Sequence, residues 1–435
     1  MKFEKSQKLN EKAHKLIPGG AHTYAKGEDQ FPEYAPIFIE RGNGCHVWDV
    51  DGNEYIEYAL GLRSVTLGHG YKSVVEAAHR EMMAGINFNR PAPVEVHLAE
   101  KMVELIDSAE MVKFGKNGSD ATSGAIKLAR AYTGRDLVAI CADHPFFSVD
   151  DWFIGTTEMN AGIPKVIQNL TVKFNYNDLD SVKKLFQNYP NQVACLIMEP
   201  EKYDPPENDF LNETLKVCHE NGALLIFDEI ITGFRHHLKG GQALYGVKPD
   251  LSTFGKAMGN GFSISALVGK REIMEIGGLH HNKERVFLLS LTYGAETHSL
   301  AASLETIRIY EEENVVDQLY KQGNRLINGI TKAVQENKLE GYFGLLGRPS
   351  NLVYFTRDND KHPSQPFRTL FLQETIKRGL IMPSLIVSYS HSDQDVDLTI
   401  EAISEALVVY RKALDEGIDK YLVGRPVKPT VRKFA

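Results

Sequence analysis

Three short, unbroken apolar runs constrain this chain more than any other feature. Residues 137–141 (LVAIC), 194–198 (ACLIM) and 223–227 (ALLIF) contain no charged or amide side chain. A strand that is apolar on both sides has to be covered on both sides. Between the last two runs, Leu211, Leu215 and Cys218 recur at helical spacing, and Gly222 stands where a helix would stop. Strands alternating with helices across residues 61–310 predict an α/β domain built on a mostly parallel sheet. In such sheets ligands bind beyond the carboxyl ends of the strands.

Flanking regions read differently. Residues 1–60 predict an N-terminal segment of one helix and a small sheet, packing with a small domain. Within it, residues 45–58 alternate around Asp51-Gly52 as a hairpin does. Residues 311–435 predict that smaller α+β domain. It opens with a helix through Val316, Leu319, Leu326, Ile330 and Val334. A strand at 352–355 follows, then helices through Leu370 and Ile376 and through Ile400, Ile403 and Leu407.

Several function classes are set aside. The formal charge of −8 is spread along 435 residues with no basic stripe, so nucleic acid is not an expected partner. The first residues, MKFEKSQKLNEK, have no apolar core of a signal peptide, and no run reaches the length of a membrane span. A cytoplasmic protein without membrane partners is expected. Cys45, Cys141, Cys195 and Cys218 form no CxxC pair, which predicts free buried thiols and no metal site.

Three motifs carry chemistry. In FDEIITGF (227–234), an apolar strand runs into two carboxylates, and a carboxylate buried there is costly unless it meets a cation. Period-2 spacing puts Asp228 and Ile230 on one side of the strand. Asp228 would bond a protonated ring nitrogen while Ile230 packs on the ring face; a helix-start carboxylate pair or a metal ligand reads equally from the motif alone. In STFGKAMGNG (252–261), Lys256 is the one charge among small and apolar neighbours. Desolvation favours its neutral amine, which forms Schiff bases with aldehydes; a surface lysine in a glycine turn is the plain alternative. In KNGSDA (116–121), Ser119 is placed as an N-cap, and the Gly-rich entry to a helix makes an anion site suited to phosphate.

Taken in order, these stretches resemble the class III (ω-type) aminotransferases that use pyridoxal 5′-phosphate (PLP). The resemblance is to the glutamate-1-semialdehyde 2,1-aminomutases and their sugar and keto-sugar-acid relatives. It runs from IPGG through LGHG, KNGSDAT, PNQVACLIMEP, FDEIITGFR and TFGKAMGNG to LTYG. It implies the fold type I, aspartate aminotransferase-like architecture. It makes Lys256 the lysine that carries the cofactor and shuttles the proton, Asp228 the partner of the pyridinium nitrogen, and Ile230 a ring-packing residue. It gives the phosphate to Asn117, Gly118 and Ser119, the second ring face to Phe146, and a supporting role to Glu199. Thr292 matches a threonine that reaches the phosphate of a neighbouring subunit, which implies a homodimer with shared sites.

The substrate side departs from the aminomutase pattern. Its carboxylate-gripping arginine is replaced by Lys26, its Gly-Asn-Pro by Glu296-Thr297-His298, and its acidic segment by PSLIVSYSH. Lysine lacks the bidentate fork of arginine. The expected function is therefore transamination from a donor amino acid, glutamate in the first instance, to a small carbonyl acceptor. His22, Tyr24, Lys26 and His298 are the candidate substrate contacts. An oxidised sugar or keto-sugar acid such as an 8-oxo-octulosonate, in surface-polysaccharide (lipopolysaccharide) biosynthesis, is the acceptor class expected. An intramolecular aminomutase, another amino- or keto-acid transaminase, and a non-catalytic binder on the same fold are the alternatives.

Overall fold

The computed structural model describes residues 2–144 and 146–433. The chain divides into two compact units: one joins the residues up to Tyr71 to Asp317–Arg432, and the other is formed by Lys72–Val316. The sequence places these borders at 60 and 310. Residues past 60 stay in the first unit because Gly44 and His69 exchange backbone hydrogen bonds of 2.9 and 2.7 Å. The second unit extends past 310 because the helix Thr297–Glu312, begun inside it, packs on the helix Lys72–Ala84.

In the first unit, the helix Glu4–Leu16 precedes a meander of β1 (Ile39–Asn43), β2 (His46–Asp49) and β3 (Glu54–Glu57), all antiparallel. The turn after β2 is built on the buried Asp49. Its Oδ1 accepts the N–H groups of Asp51 (3.0 Å) and Asn53 (2.8 Å), and Gly52 takes φ +89°. That left-handed position is the one a glycine fills without strain.

The second unit is built on a sheet of seven strands. They are β4 (Met111–Gly115), β5 (Leu137–Cys141), β6 (Thr171–Phe174), β7 (Val193–Met198), β8 (Leu224–Asp228), β9 (Leu251–Phe254) and β10 (Ser265–Gly269). Their order is β4-β10-β9-β8-β7-β5-β6, parallel from β9 to β6, with β10 antiparallel to both its neighbours. Strands β5, β7 and β8 are buried at every residue, as unbroken apolar runs require. Alternate side chains feed two cores. Cys195, Ile197, Leu224 and Ile226 pack with Ala121, Ala125 and Leu128 of the helix Gly118–Thr133, while Leu196, Met198, Leu225 and Phe227 pack with Phe210, Leu211 and Cys218 on the opposite face.

The chain then returns to the first unit with β11 (Phe343–Leu346), β12 (Val353–Thr356) and β13 (Leu380–Ile381). Strands β11 and β12 form a two-stranded ribbon, whereas β13 pairs in parallel with β3, Leu380 opposite Ile56 and Ile381 opposite Glu57. Helices Gln365–Lys377 and Asp393–Glu416 complete this unit, and Tyr58, buried completely, donates its hydroxyl to Thr399 Oγ1 at 2.8 Å. No described helix is long and apolar enough to cross a membrane.

Candidate active site

Strand β8 ends at Asp228 with its carboxylate buried. Burial pushes this carboxyl up to about 6, against the pull of the Ile230 N–H, the Lys256 charge and the Thr253 hydroxyl. Ile230 N donates to Asp228 Oδ1 at 3.0 Å and Thr253 Oγ1 donates to the same oxygen at 3.3 Å. The alternation argument for Ile230 does not hold as stated, because the strand has stopped. A turn, closed by the N–H of Ile230 on Asp228, follows instead, and the Ile230 side chain lies against Gly118 and Gly255. Glu229 points the other way. Its two oxygens accept the N–H groups of Gly241 (2.7 Å) and Gln242 (2.8 Å), and Thr232 bonds it as well. The paired carboxylates thus divide into one that braces the loop ahead of the next helix and one left facing a site.

Lys256 arrives from the neighbouring strand. β9 runs parallel to β8 with Thr253 opposite Asp228, and the chain leaves β9 through Gly255 into a short 3₁₀ turn that begins at Lys256. Lys256 holds φ +44° there. A non-glycine residue in that region stores strain of order 1–3 kcal/mol, and such residues concentrate at functional sites.

Ile230 is where the motifs meet. A Cβ added at Gly118 would stand 3.2 Å from Ile230 Cδ1, and one added at Gly255 would stand 3.1 Å from the same atom. A side chain on either of these two sides would press the isoleucine, so the helix start, the carboxylate turn and the lysine loop close on one another.

The helix Gly118–Thr133 begins at Asn117, which is its N-cap. The cap expected from the sequence is Ser119. Ser119 instead lies in the first turn, where its Oγ accepts the Val149 N–H at 3.0 Å and pins the loop after β5. Asp120 closes the entry by accepting the N–H groups of Lys116 (2.9 Å) and Asn117 (2.7 Å). Phe146 sits in the pinned loop, 48% exposed, with its ring edge-on to Phe153 at 5.6 Å. Glu199 follows β7 and is buried; its backbone N–H donates to His144 Nδ1 at 3.0 Å. Burial, then the Lys202 charge, pushes His144 down to about 3, so it stays neutral. Thr253 and His144 are contributors that the sequence does not flag. Their places follow from strand register and from the side-by-side ends of β5 and β7, neither of which leaves a local pattern.

Other candidates disperse. Thr292 is exposed, and its carbonyl accepts from Asn87 Nδ2 at 2.9 Å. His298 opens the helix Thr297–Glu312 with its ring edge-on to Phe262 at 6.2 Å, and Glu296 just before it is ion-paired with Lys116. His22, Tyr24 and Lys26 belong to the first unit, which has its own cavity of about 510 Å³. Lys26 lines that cavity together with Phe31, Phe38, Leu62, His69 and Arg425. The chain reaches Leu62 through left-handed backbone at Leu60, Gly61, Leu62 and Arg63, with φ of 45, 57, 59 and 76°. A run of this kind costs roughly 1–2 kcal/mol per non-glycine residue.

The chain is similar to known proteins over nearly its whole length. The family described as aminotransferase class-III matches residues 23–341. The chain is 33% identical to the 3-aminobutyryl-CoA aminotransferase of Cloacimonas acidaminovorans (strain Evry), over 95% of this chain and 99% of that one. It is equally 33% identical to a glutamate-1-semialdehyde 2,1-aminomutase of Archaeoglobus fulgidus, over 94% of this chain and 100% of the relative. Among solved structures it is similar to the PLP internal aldimine form of the FumI protein of Sphingopyxis sp. MTA144. That likeness has a TM-score of 0.86 and 27% identity, covering 95% of this chain and 98% of that one.

Proposed function

The chain belongs to the class III aminotransferases, a PLP-dependent family with the fold type I architecture, and from that premise we propose which of its residues do the work. The site in the second unit fits PLP. A buried carboxylate whose pKa is raised by desolvation calls for a cationic ring nitrogen, an isoleucine walled by two glycines offers a flat apolar face, and a helix N-terminus stands beside them. In this reading Asn117, Gly118 and Ser119 hold the phosphate, Asp228 holds the ring N–H, Ile230 and Phe146 flank the ring, and Lys256 is the attachment point. Glu199 supports the site from the end of β7. Thr292 serves the phosphate of a second copy, which makes the working unit a homodimer with shared sites, in the cytoplasm.

When bound, PLP supplies an electron sink conjugated to the reacting carbon. Asp228 keeps the ring nitrogen protonated by accepting its hydrogen bond, so the sink stays positively charged. Lys256 Nζ would hold the cofactor and, when released from it, would take and return the proton of the donor amino acid's α-carbon. Convergence of Gly118, Asp228 and Gly255-Lys256 on Ile230 is the single observation that carries this assignment.

The donor in this proposal is glutamate, and the acceptor is an oxidised sugar or keto-sugar acid of the 8-oxo-octulosonate type used in lipopolysaccharide biosynthesis. Support comes from the exchanged substrate-side groups: Lys26 attracts a carboxylate without the arginine fork, and His22, Tyr24 and His298 can meet hydroxyls. A second reading, an acceptor with an apolar body, is favoured by the relative at 33% identity that is named 3-aminobutyryl-CoA aminotransferase. Steady-state assays with glutamate and panels of sugar aldehydes, simple keto acids and 3-oxoacyl thioesters separate the two readings. Activity confined to simple keto acids overturns both. Release of 2-oxoglutarate distinguishes transamination from an intramolecular aminomutase.

A further inference from the structure

Away from the cofactor site, within the first unit, a thiol, an imidazole and a carboxylate share one contact. Cys45, just before β2, is buried and donates to Asp395 Oδ2 at 3.5 Å. His46 Nε2 lies 3.0 Å from Asp395 Oδ1. One ligand atom from each of the three residues lies within 4.8 Å of the others. Asp395 sits in the first turn of the helix Asp393–Glu416, and its Oδ2 also accepts the N–H (2.9 Å) and hydroxyl (2.6 Å) of Ser392. The remaining ring nitrogen of His46 bonds Glu54 Oε1 at 2.9 Å.

We infer that Cys45, His46 and Asp395 form a binding site for one zinc-like divalent cation, which clips the N-terminal meander to the C-terminal helix. Ligand distances around zinc of about 2.3 Å for sulfur and about 2.0–2.2 Å for nitrogen and oxygen put tetrahedral neighbours roughly 3.3–3.7 Å apart. Cys45 Sγ at 3.5 Å from Asp395 Oδ2 lies within that range and His46 Nε2 at 3.0 Å from Oδ1 lies just under it, the two contacts being made to the two oxygens of one carboxylate. Glu54 on the far nitrogen of His46 is the outer carboxylate that metal-bound imidazoles use to fix tautomer and orientation. With Nδ1–H donated to Glu54, Nε2 presents its lone pair to the cation. A thiolate with an imidazole selects zinc-type ions over magnesium or calcium. Ion entry displaces to solvent both the thiol proton and the proton that Nε2 shares with Asp395 Oδ1 in the cation-free protein, leaving a thiolate, a neutral imidazole and a carboxylate as ligands; water completes the fourth position.

The residues of this cluster are far apart in sequence: the Cys45–Asp395 contact spans 350 positions. That is why cysteine spacing alone gives no hint of it. Burial and the Asp395 charge push the Cys45 thiol up, so in the cation-free protein it is protonated and inert.

The test uses the PLP-loaded enzyme, stripped with a chelator and titrated with cobalt(II). One equivalent per chain is expected to give the thiolate-to-cobalt charge-transfer band and the visible bands of tetrahedral cobalt, and zinc(II) is expected to bleach both. Cys45→Ser removes the charge-transfer band, and Cys141→Ser leaves it. Glu54→Gln, which touches no ligand position, weakens binding by about 10–100-fold. No charge-transfer band, or one that survives Cys45→Ser, overturns the assignment. So does a zinc-dependent rise in melting temperature that is equal in Cys45→Ser and in the unmodified protein.

Discussion

Asp228→Asn separates what the buried carboxylate costs from what it does. Its carboxyl is raised to about 6 by burial, against about 3.9 in an unfolded chain. Between these two values the folded, cofactor-free protein keeps a proton that the unfolded chain has released. Stability is therefore lost as pH rises through this window, and the penalty is complete above about 6. A rise of that size, at about 1.4 kcal/mol for each tenfold change in proton affinity, corresponds to roughly 3 kcal/mol. Asparagine carries no charge at any of these pH values and can still accept the Ile230 N–H. In cofactor-free protein, Asp228→Asn is expected to be no more stable than the parent at pH 4 and more stable by up to about 3 kcal/mol at pH 8. With PLP bound the order reverses. The ring nitrogen loses its counter-charge, and removing one member of a buried pair costs roughly 3–5 kcal/mol, or about 10²–10⁴-fold in cofactor affinity. Urea denaturation of both forms at the two pH values, with PLP dissociation measured alongside, tests this. A stability difference that is the same at pH 4 and pH 8 refutes the claim that Asp228 is held desolvated until the cofactor arrives.

Other expectations follow from the same contacts. Lys256→Ala removes both the absorbance of covalently held PLP and turnover, the latter by at least about 10²–10⁴-fold, the usual weight of a positioned proton shuttle; unchanged colour and rate would sink the assignment. Gly118→Ala speeds PLP loss because the new methyl meets Ile230 at 3.2 Å, and Ile230→Val in the same chain restores part of the retention. Tyr58→Phe destabilises the first unit by about 1–2 kcal/mol, read as a lower urea midpoint, because Thr399 loses its buried donor.

Much of this is legible in the sequence wherever the signal is local. The runs 137–141, 194–198 and 223–227 become β5, β7 and β8 within a residue or so, because a doubly covered strand has no polar face to hide. Leu211, Leu215 and Cys218 lie in the helix Phe210–Glu220 as their spacing requires. What escapes depends on contacts between distant residues. Thr253 reaches Asp228 only through the register of β8 and β9. Ser119 has the chemistry of a cap, yet Asn117 precedes the first helical residue and takes that place, freeing Ser119 for Val149. Strand alternation pairs Ile230 with Asp228 on paper, but β8 stops at Asp228 and the Ile230 backbone N–H turns back to bond its carboxylate. The acceptor side is the least readable, since Lys26 and Leu62 owe their setting to 3₁₀ turns and left-handed backbone that composition does not announce.

The pairing of β3 with β13 has a consequence for how the protein is made. Ile56 emerges from the ribosome about 320 residues before its partner Leu380 exists, which at roughly 5–20 residues per second is a wait of about 15–65 s. The seven-stranded sheet of the other unit lies wholly between Met111 and Gly269, so it can be complete while the meander ahead of it still has an open edge at β3. During nascent synthesis that edge is the part of the chain most in need of a chaperone.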